Sequence, residues 1–217
     1  MLLRRVVTAA VVVVVIGVAS VQAMPLNLTQ MPPDIYSSQI QISYDAGTDQ
    51  FTASGYPIQY DRPPSFDVEP GLFYINATID AEGVATAGVL EITGTVLAGA
   101  GESGPAPLGP PVDVLLTGDL TGFGWVPDPP DGVRVPTFEF VFVCTGGSLA
   151  PDYGGLGAPM GCILSSFTSF PEEAFGTNYQ CGGAVSDTFT MIPEPASMAL
   201  LAVGLGALAA RRRRRRS

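Results

Sequence analysis

Short runs of alternating apolar and polar residues dominate the middle of the chain. Residues 40–44 alternate strictly, residues 45–49 contain the turn formers Asp and Gly, and residues 50–54 resume the alternation. A period of two residues is that of a β-strand with one buried face, and an intervening Asp/Gly cluster is typical of a turn. The pattern therefore predicts a β-hairpin over 40–54.

The same criterion predicts further strands along the chain. A second hairpin is predicted from 73–79 with 84–96, and a third from 112–116 with 118–125. A strand over 138–143 has its aromatic residues on a single face, and two late strands follow at 162–167 and 184–190. No long segment of the body has the 3.6-residue period of an amphipathic helix. Prolines and glycines concentrate between the strands, where a missing N–H blocks ladder pairing, and they predict four loops: 63–70, 99–111, 127–136 and 150–161. Many short strands with frequent turns predict an all-β fold, an antiparallel β-sandwich or a barrel.

The first 23 residues have a different pattern. Arg4 and Arg5 precede an apolar stretch over 6–18, and residues 19–23 end in small side chains. This order of charged, apolar and small-residue zones is that of a secretory signal peptide, and the apolar stretch is too short to span a bilayer comfortably. We therefore expect export through the Sec translocon and cleavage after Ala23.

The last 27 residues form a second distinct segment. Pro193, Glu194 and Pro195 precede an uncharged stretch over 196–210, predicted to be a short transmembrane helix. A run of arginines follows, which we expect to remain cytoplasmic as a stop-transfer signal: Arg211, Arg212, Arg213, Arg214, Arg215 and Arg216.

These three elements, in this order at the end of an exported chain, resemble the PEP-CTERM sorting signal. The resemblance implies that Pro193, Glu194 and Pro195 are recognised by an exosortase, a membrane-embedded enzyme that resembles cysteine transpeptidases. It also implies a Gram-negative bacterium that makes extracellular polysaccharide. The helix would be a transient inner-membrane anchor, and the processed protein would reach the cell surface or the extracellular matrix. The expected organisation is a signal peptide over 1–23, an acidic β-rich domain over 24–190 and a sorting signal over 191–217.

Charge is strongly segregated between these parts. Residues 24–192 contain 19 acidic residues and two arginines, Arg62 and Arg134, so the body carries a net charge of −17 although the whole chain carries −10. The chain contains no Lys and no His. Binding to nucleic acid phosphates needs Lys and Arg, and Ser-His-Asp catalysis needs a His. We therefore expect neither nucleic acid binding nor these forms of catalysis, and we expect Arg62 and Arg134 to form structural ion pairs with nearby Asp residues.

The chain has three cysteines, Cys144, Cys162 and Cys181. Export permits disulfides, and three cysteines allow one bridge in any of three pairings, of which we favour Cys144 with Cys181. A catalytic thiolate is disfavoured because no His or Lys is present to lower a thiol pKa.

Carboxylates offer the remaining catalytic chemistry. Glu139, inside the aromatic strand, is the best candidate for a perturbed acid, although alternation predicts that it faces solvent on the polar side of that strand. Glu172 and Glu173 are expected to be a solvated pair on a loop. No cofactor is expected. Calcium remains an open alternative at two turns, one with Asp45, Thr48 and Asp49 and one with Asp128 and Asp131, where aspartates ordinarily bond their own backbone.

Aromatic side chains could form a stacking platform for sugars, although most are expected in the core: Tyr36, Tyr44, Tyr56, Tyr60, Trp125 and Tyr153. The sequence thus favours a non-enzymatic surface or matrix protein that associates with exopolysaccharide or biofilm. The alternatives are a carboxylate-dependent polysaccharide hydrolase and a permanently tail-anchored periplasmic domain. The partners expected are the exosortase, the Sec translocon, the membrane and, as an open alternative, polysaccharide.

Overall fold

The computed structural model describes residues 25–97, 112–126, 136–168 and 174–191. Nine strands and two 3-10 helices, Ala150–Tyr153 and Ala174–Gly176, make up this part of the chain. The strands are β1 (Asp34–Asp45), β2 (Gln50–Asp61), β3 (Phe66–Asp67), β4 (Leu72–Ile79), β5 (Ala85–Gly94), β6 (Asp113–Val126), β7 (Thr137–Gly146), β8 (Pro159–Ser165) and β9 (Tyr179–Thr190).

Eight of these strands close into an up-and-down antiparallel barrel. Each strand pairs with the next one along the chain, in the order β1-β2-β4-β5-β6-β7-β8-β9, and β9 pairs back with β1. The two-residue strand β3 pairs with the end of β2, outside this ring. Closure leaves none of the eight strands with an open edge, which satisfies the backbone hydrogen bonds all round the barrel. The all-β prediction is confirmed, and the architecture is the barrel.

Alternation along each strand fills the interior. Phe51 of β2 packs against Phe138 and Phe140 of β7, with ring centroids 5.3 and 5.4 Å apart. Phe140 also stacks on Phe142 at 5.9 Å. These three β7 phenylalanines are fully buried, as the single-face pattern of 138–143 predicts. The barrel is therefore a packed core of side chains, as eight-stranded barrels commonly are.

An aromatic residue from a 3-10 helix lies at each end of the barrel. Tyr153 is buried at the end where β9 finishes, and its hydroxyl donates to the Thr188 carbonyl oxygen at 2.9 Å. Phe175 is buried at the other end, edge-on to Tyr44 and Trp125 at 5.1 and 5.9 Å. Burial of these rings removes apolar surface from water where the strands diverge and the core would otherwise be open.

The hairpins predicted over 40–54 and from 73 to 96 are confirmed, and the strands predicted at 138–143, 162–167 and 184–190 correspond to β7, β8 and β9. The third predicted hairpin is wrong, because residues 113–126 form one strand, β6. Irregularities in pairing with β7 after Thr117 and after Leu120 absorb the local bends. Gly118 is not a turn residue: a Cβ there would lie 2.7 Å from Met160 Cε and 2.9 Å from Phe142 Cβ, so glycine permits close packing.

The predicted loops are confirmed in part. Residues 63–70 contain β3, and residues 150–161 contain a 3-10 helix and the start of β8. Residues 99–111 and 127–135 lie outside the described residues, as do the predicted signal peptide and the predicted helix over 196–210. Within the described part of the chain, no helix has the length and hydropathy that crossing a bilayer requires.

Candidate functional sites on the barrel surface

A shallow groove runs along β1 on the outside of the barrel. It consists of three adjoining depressions of about 550, 540 and 540 Å³, which share lining residues and extend from Asp45 and Asn178 at one end to Tyr56 and Leu72 at the other. We call it the β1 groove, and its polar side chains are Gln39, Gln41, Ser43, Asp45, Thr52, Ser54, Tyr56, Asn178 and Gln180.

The groove is polar but nearly uncharged. Among the described residues that line it, Asp45 alone carries a charge, and it lies at one end, where its carboxylate accepts the Gly47 N–H at 2.8 Å. Between the ends, amide and hydroxyl groups provide both donors and acceptors. In a body with a net charge of −17, this stretch of surface differs from the average surface by its lack of carboxylates.

The strands that form the groove explain its composition. Ser43 on β1 and Thr52 on β2 are register partners, and their hydroxyls are 2.8 Å apart. Gln180 on β9 pairs with Ser43 from the other side. The extra residues that shift the β1 register between Ser38 and Gln41 include Gln39, which has a positive φ of 52° and lines the Tyr56 end. Outward positions of three neighbouring strands thus meet in one depression.

Of the aromatic residues considered for a sugar platform, the structure brings one to the groove. Tyr56 is 55% exposed beside Leu72. Four others are buried in the core, namely Tyr44, Tyr60, Trp125 and Tyr153. Most of the candidates thus lie in the core, as expected, and Tyr36 is half-buried on β1. The groove has a single exposed ring, at one end of a surface lined by amides and hydroxyls. The sequence signal for this site was present in the predicted 40–54 hairpin, where the outward residues of both strands are uncharged.

Glu139 lies on a different face, and its predicted exposure to solvent is wrong. Its side chain is on the opposite side of β7 from the phenylalanines, as alternation predicts, but it is only 6% exposed. Residues 25–33, which we call the strap, cover it from outside the barrel. The Glu139 carboxylate accepts backbone N–H groups from Leu26, Asn27 at 3.0 Å and Leu28 at 3.1 Å. These bonds occupy both oxygens, so this carboxylate holds the strap in place.

The other end of the strap lies against two aspartates. The Gln30 amide donates to Asp34 at 2.6 Å, and the Thr190 hydroxyl donates to the Met31 and Pro32 carbonyl oxygens. Burial raises the pKa of Asp34, which Asp61 raises further and Gln30 opposes. Burial and the nearby Asp34 charge raise the pKa of Asp187, which the Gln30 amide likewise opposes. Two carboxylates thus share one neutral donor beneath the strap.

Arg62 forms the ion pair predicted for it. Its guanidinium donates to both Asp152 oxygens, at 2.8 and 2.9 Å, and the Tyr60 hydroxyl donates to the same carboxylate at 2.8 Å. Burial, followed by the Asp152 interaction, raises the pKa of Tyr60 far above its ordinary value. The group links the end of β2 to the 3-10 helix that positions Tyr153. Arg134 lies outside the described residues.

The predicted bridge between Cys144 and Cys181 is not present, because all three cysteines are free thiols. Cys162 is the register partner of Thr188, and Cys144 lies four residues from the partner of Cys162 along β7. Strands β7 and β9 both run antiparallel to β8, so Cys144 near the end of β7 and Cys181 near the start of β9 lie toward opposite ends of the barrel, beyond the reach of a disulfide. Burial raises the pKa of Cys162 to about 12, while Cys181 accepts a hydrogen bond from Ser166 at 3.1 Å.

The aspartates considered for calcium are turn residues where the structure describes them. Asp45 accepts the Gly47 N–H at 2.8 Å, and Asp49, with a positive φ of 57°, ends the same turn. Among the described residues, no cluster of three or more His, Cys, Asp or Glu side chains is arranged to hold a metal ion. Asp128, Asp131, Glu172 and Glu173 lie outside the described residues.

The segment after the barrel carries the clearest functional signal. Strand β9 ends at Thr190, and the Met191 N–H still bonds to the Pro159 carbonyl oxygen. Residues 192–215 match the family model of the PEP-CTERM protein-sorting motif, which confirms the resemblance drawn from the sequence. Pro193, Glu194, Pro195 and the arginine run up to Arg215 fall within this match but lie outside the described residues, as do Arg216 and the predicted cleavage site at Ala23. No curated protein and no solved structure matches the chain.

Proposed function

We propose that this chain is a non-enzymatic protein of the cell surface or extracellular matrix, which associates with exopolysaccharide after exosortase processing. The sorting motif marks it as an exported protein that passes transiently through the membrane and is then processed. One observation carries the proposal: the motif begins two positions after the last residue of the barrel strand β9. The protein that processing would release is therefore essentially the closed barrel, with its acidic surface and its β1 groove.

The contacts of Glu139 favour a binding role over hydrolysis. A glycosidase needs two carboxyl groups that face one bond, with one of them able to give up a proton to the leaving group. Glu139 is the best acid candidate in the sequence, but its carboxylate accepts hydrogen bonds from three backbone N–H groups of the strap. Its contacts support a structural role, and the β1 groove is formed by other strands.

The test of export and processing is the sorting motif itself. In a host that makes an exosortase, Pro193, Glu194 and Pro195 are replaced together by alanine, and Met198→Ala in the apolar stretch serves as the control. We expect the triple variant to remain in the membrane fraction at its unprocessed mass, while the control is released like the wild type. Release of the triple variant at the wild-type rate would contradict processing at this motif.

The intact mass of the exported protein separates the proposal from a permanently anchored domain. Processing near the motif removes the arginine run at 211–216, whereas a permanent anchor retains it. We expect a mass that lacks these residues and also lacks residues 1–23. A surface form that keeps all six arginines would favour the tail-anchored alternative.

A carboxylate-dependent hydrolase has one specific observation in its favour, the raised pKa values of Asp34 and Asp187. A carboxyl group with a raised pKa is one half of the catalytic pair that glycosidases use. Asp34 is only 8% exposed and lies beneath the strap, which limits access of a polymer to it. Reducing-end assays on neutral polysaccharides decide the point: activity that Asp34→Asn and Asp187→Asn abolish would replace the binding proposal with this one.

A further inference from the structure

The β1 groove points to a ligand class that the sorting signal leaves open, and this inference rests on the proposed function. We propose that the groove binds an uncharged polysaccharide, with Gln41 and Gln180 as hydrogen-bonding groups and Tyr56 as the stacking group. The groove follows β1 from Gln39 to Asp45, a length of about 20 Å at ~3.4 Å per residue. Its three depressions adjoin on the surface, so a polymer could lie along it.

The chemistry of the lining matches sugar hydroxyl groups. A hydroxyl both donates and accepts, and so do the amides of Gln41 and Gln180 and the hydroxyls of Ser43 and Thr52. Ser43 and Thr52 are hydrogen-bonded to each other, which fixes the orientation of these two hydroxyls beside Gln41 and Gln180. Groups that are already held in place lose less conformational entropy when a ligand binds.

Tyr56 supplies the apolar part of such a site. Its ring is 55% exposed, and Leu72, 45% exposed, lies beside it at the same end of the groove. Rings of this kind offer a flat surface to the C–H face of a pyranose while their hydroxyl groups stay in water. An exposed aromatic ring next to amide side chains suits a ligand that is polar at its edges and apolar on its faces.

The negative charge of the body and the lack of cations in the groove favour an uncharged polymer over an acidic one. The chain has no lysine, and Arg62 is paired with Asp152 away from the groove. An acidic polysaccharide would meet no cation among the described groove residues, and it would be repelled by a body with a net charge of −17. Salt weakens this repulsion but leaves hydrogen bonding and stacking in the groove almost unaffected.

The test uses the full-length chain in a neutral detergent, titrated calorimetrically with dextran, xylan and mannan as uncharged polymers and with alginate as an acidic one. We expect wild-type binding to at least one uncharged polymer that persists at high salt. The double variant Gln41→Ala with Gln180→Ala should weaken it about tenfold, and Tyr56→Ala should weaken it comparably, because each removes about 1.4 kcal/mol of polar or stacking interaction. Val89→Ala, an exposed position on the outer face of β5, is the matched control and should bind like the wild type.

Lysine substitutions distinguish the two ligand classes. The Gln41→Lys variant should bind the uncharged polymer more weakly than the wild type does. An acidic ligand in the groove would instead bind this variant more tightly. The arginine run at 211–216 is common to all variants, so any alginate binding that it causes cancels in the comparison.

Several results would overturn the inference: no binding to any of the three uncharged polymers, equal binding by the wild type and the groove variants, or alginate binding that the groove variants reduce. A failure of this kind leaves the export test at Pro193, Glu194 and Pro195 intact, because that test reads location and mass. Retention of the chain inside the cell would instead contradict the proposed function while the groove could still bind polymer in the titration. Melting temperatures of all variants confirm that loss of binding is not loss of folding.

Discussion

Two outer faces of the same barrel differ in their polar side chains: one buries carboxylates, and the other exposes uncharged amides and hydroxyls. On one face the strap covers carboxylates of β7, β9 and the start of β1, namely Glu139, Asp187 and Asp34. Between the ends of the β1 groove the polar groups are uncharged and open to solvent. Burying a charged group has a large free-energy cost unless it is satisfied, so the strap face is tied to the fold. An open amide or hydroxyl bonds to water at little cost, so the groove is free to take a ligand.

The two carboxylate sites beneath the strap also differ from each other, in the number of hydrogen bonds that the carboxylates accept. The Glu139 carboxylate accepts hydrogen bonds from three N–H groups, which compensate for the water that it loses on burial. Asp34 and Asp187 share one Gln30 amide, and one oxygen of Asp34 has no hydrogen-bond partner in the structure. One end of the strap is therefore well satisfied and the other is not, and removing a carboxylate charge at the two ends should have opposite effects on stability.

The largest effect is expected for Glu139→Ala. The change removes the acceptor of three N–H groups and leaves the strap without its anchor on β7. We expect a loss of about 2–3 kcal/mol in the free energy of unfolding, measured by urea denaturation, because hydrogen bonds to charged groups are the strong ones. Amide hydrogen exchange at Leu26, Asn27 and Leu28 should become fast in the folded variant.

Glu91 provides the control for this change. It is an exposed outward-facing glutamate on β5, so Glu91→Ala removes the same charge without removing a buried acceptor. We expect a change within about 0.5 kcal/mol, the usual range for surface substitutions. Equal effects at Glu91 and Glu139 would contradict the idea that Glu139 holds the strap.

A smaller loss is expected for Gln30→Ala at the other end of the strap. The variant removes the donor to Asp34 and leaves two neighbouring carboxylates without it. We expect a loss of about 1 kcal/mol at pH 7, in the usual range for a hydrogen bond to a charged group. The loss should shrink below the raised pKa values of Asp34 and Asp187, where both groups carry protons and repel each other less. A loss that is the same at pH 4 and pH 7 would show that Gln30 acts by packing alone.

Asp187→Asn should change stability in the opposite direction. A carboxyl group whose folded pKa is raised binds its proton more tightly when folded than when unfolded, so stability falls as the pH rises above its ordinary value of about 4. Removing the Asp187 charge should therefore stabilise the protein at pH 7 by about 0.5 kcal/mol, a usual size for a cross-strand pair, and by less near pH 4.

The control for this variant is Asp119→Asn, which removes one charge from the exposed surface of β6. Both variants lower the overall negative charge equally, so general self-repulsion cancels in the comparison. If Asp119→Asn stabilises as much as Asp187→Asn, the gain comes from net charge and not from the pair with Asp34.

How far the sequence predicts each face follows from the range of the interactions. The 40–54 hairpin needs only neighbours in sequence, and both its strands and its turn are confirmed. Alternation also predicts the side of β7 on which Glu139 lies. It cannot predict the cover, since the N–H groups that bind Glu139 come from residues 111 to 113 positions earlier in the chain. Such a contact exists only after the barrel has closed.

The cysteines and Gly118 show the same limit. Spacings of 18 and 19 residues permitted a bridge, but strand direction places Cys144 and Cys181 toward opposite ends of the barrel. A break between strands was predicted at Thr117, yet the strand is continuous there, and Gly118 permits close packing against Met160 and Phe142. Local patterns thus predicted which segments are strands, while pairing and packing determined what each side chain meets.

The smallest effect is expected on the groove side, for Thr52→Ala. This variant removes the hydroxyl that pairs with Ser43 but leaves both strands paired through their backbones. Thr86→Ala, on the exposed outer face of β5, controls for the intrinsic preference of threonine for strands. Subtracting the two should leave about 0.5 kcal/mol or less for the hydroxyl pair, measured by urea denaturation. A loss comparable to that of Glu139→Ala would show that the Ser43–Thr52 pair is as important for stability as the Glu139 contacts. The contrast between a face fixed by buried carboxylates and a face free to bind would then be lost.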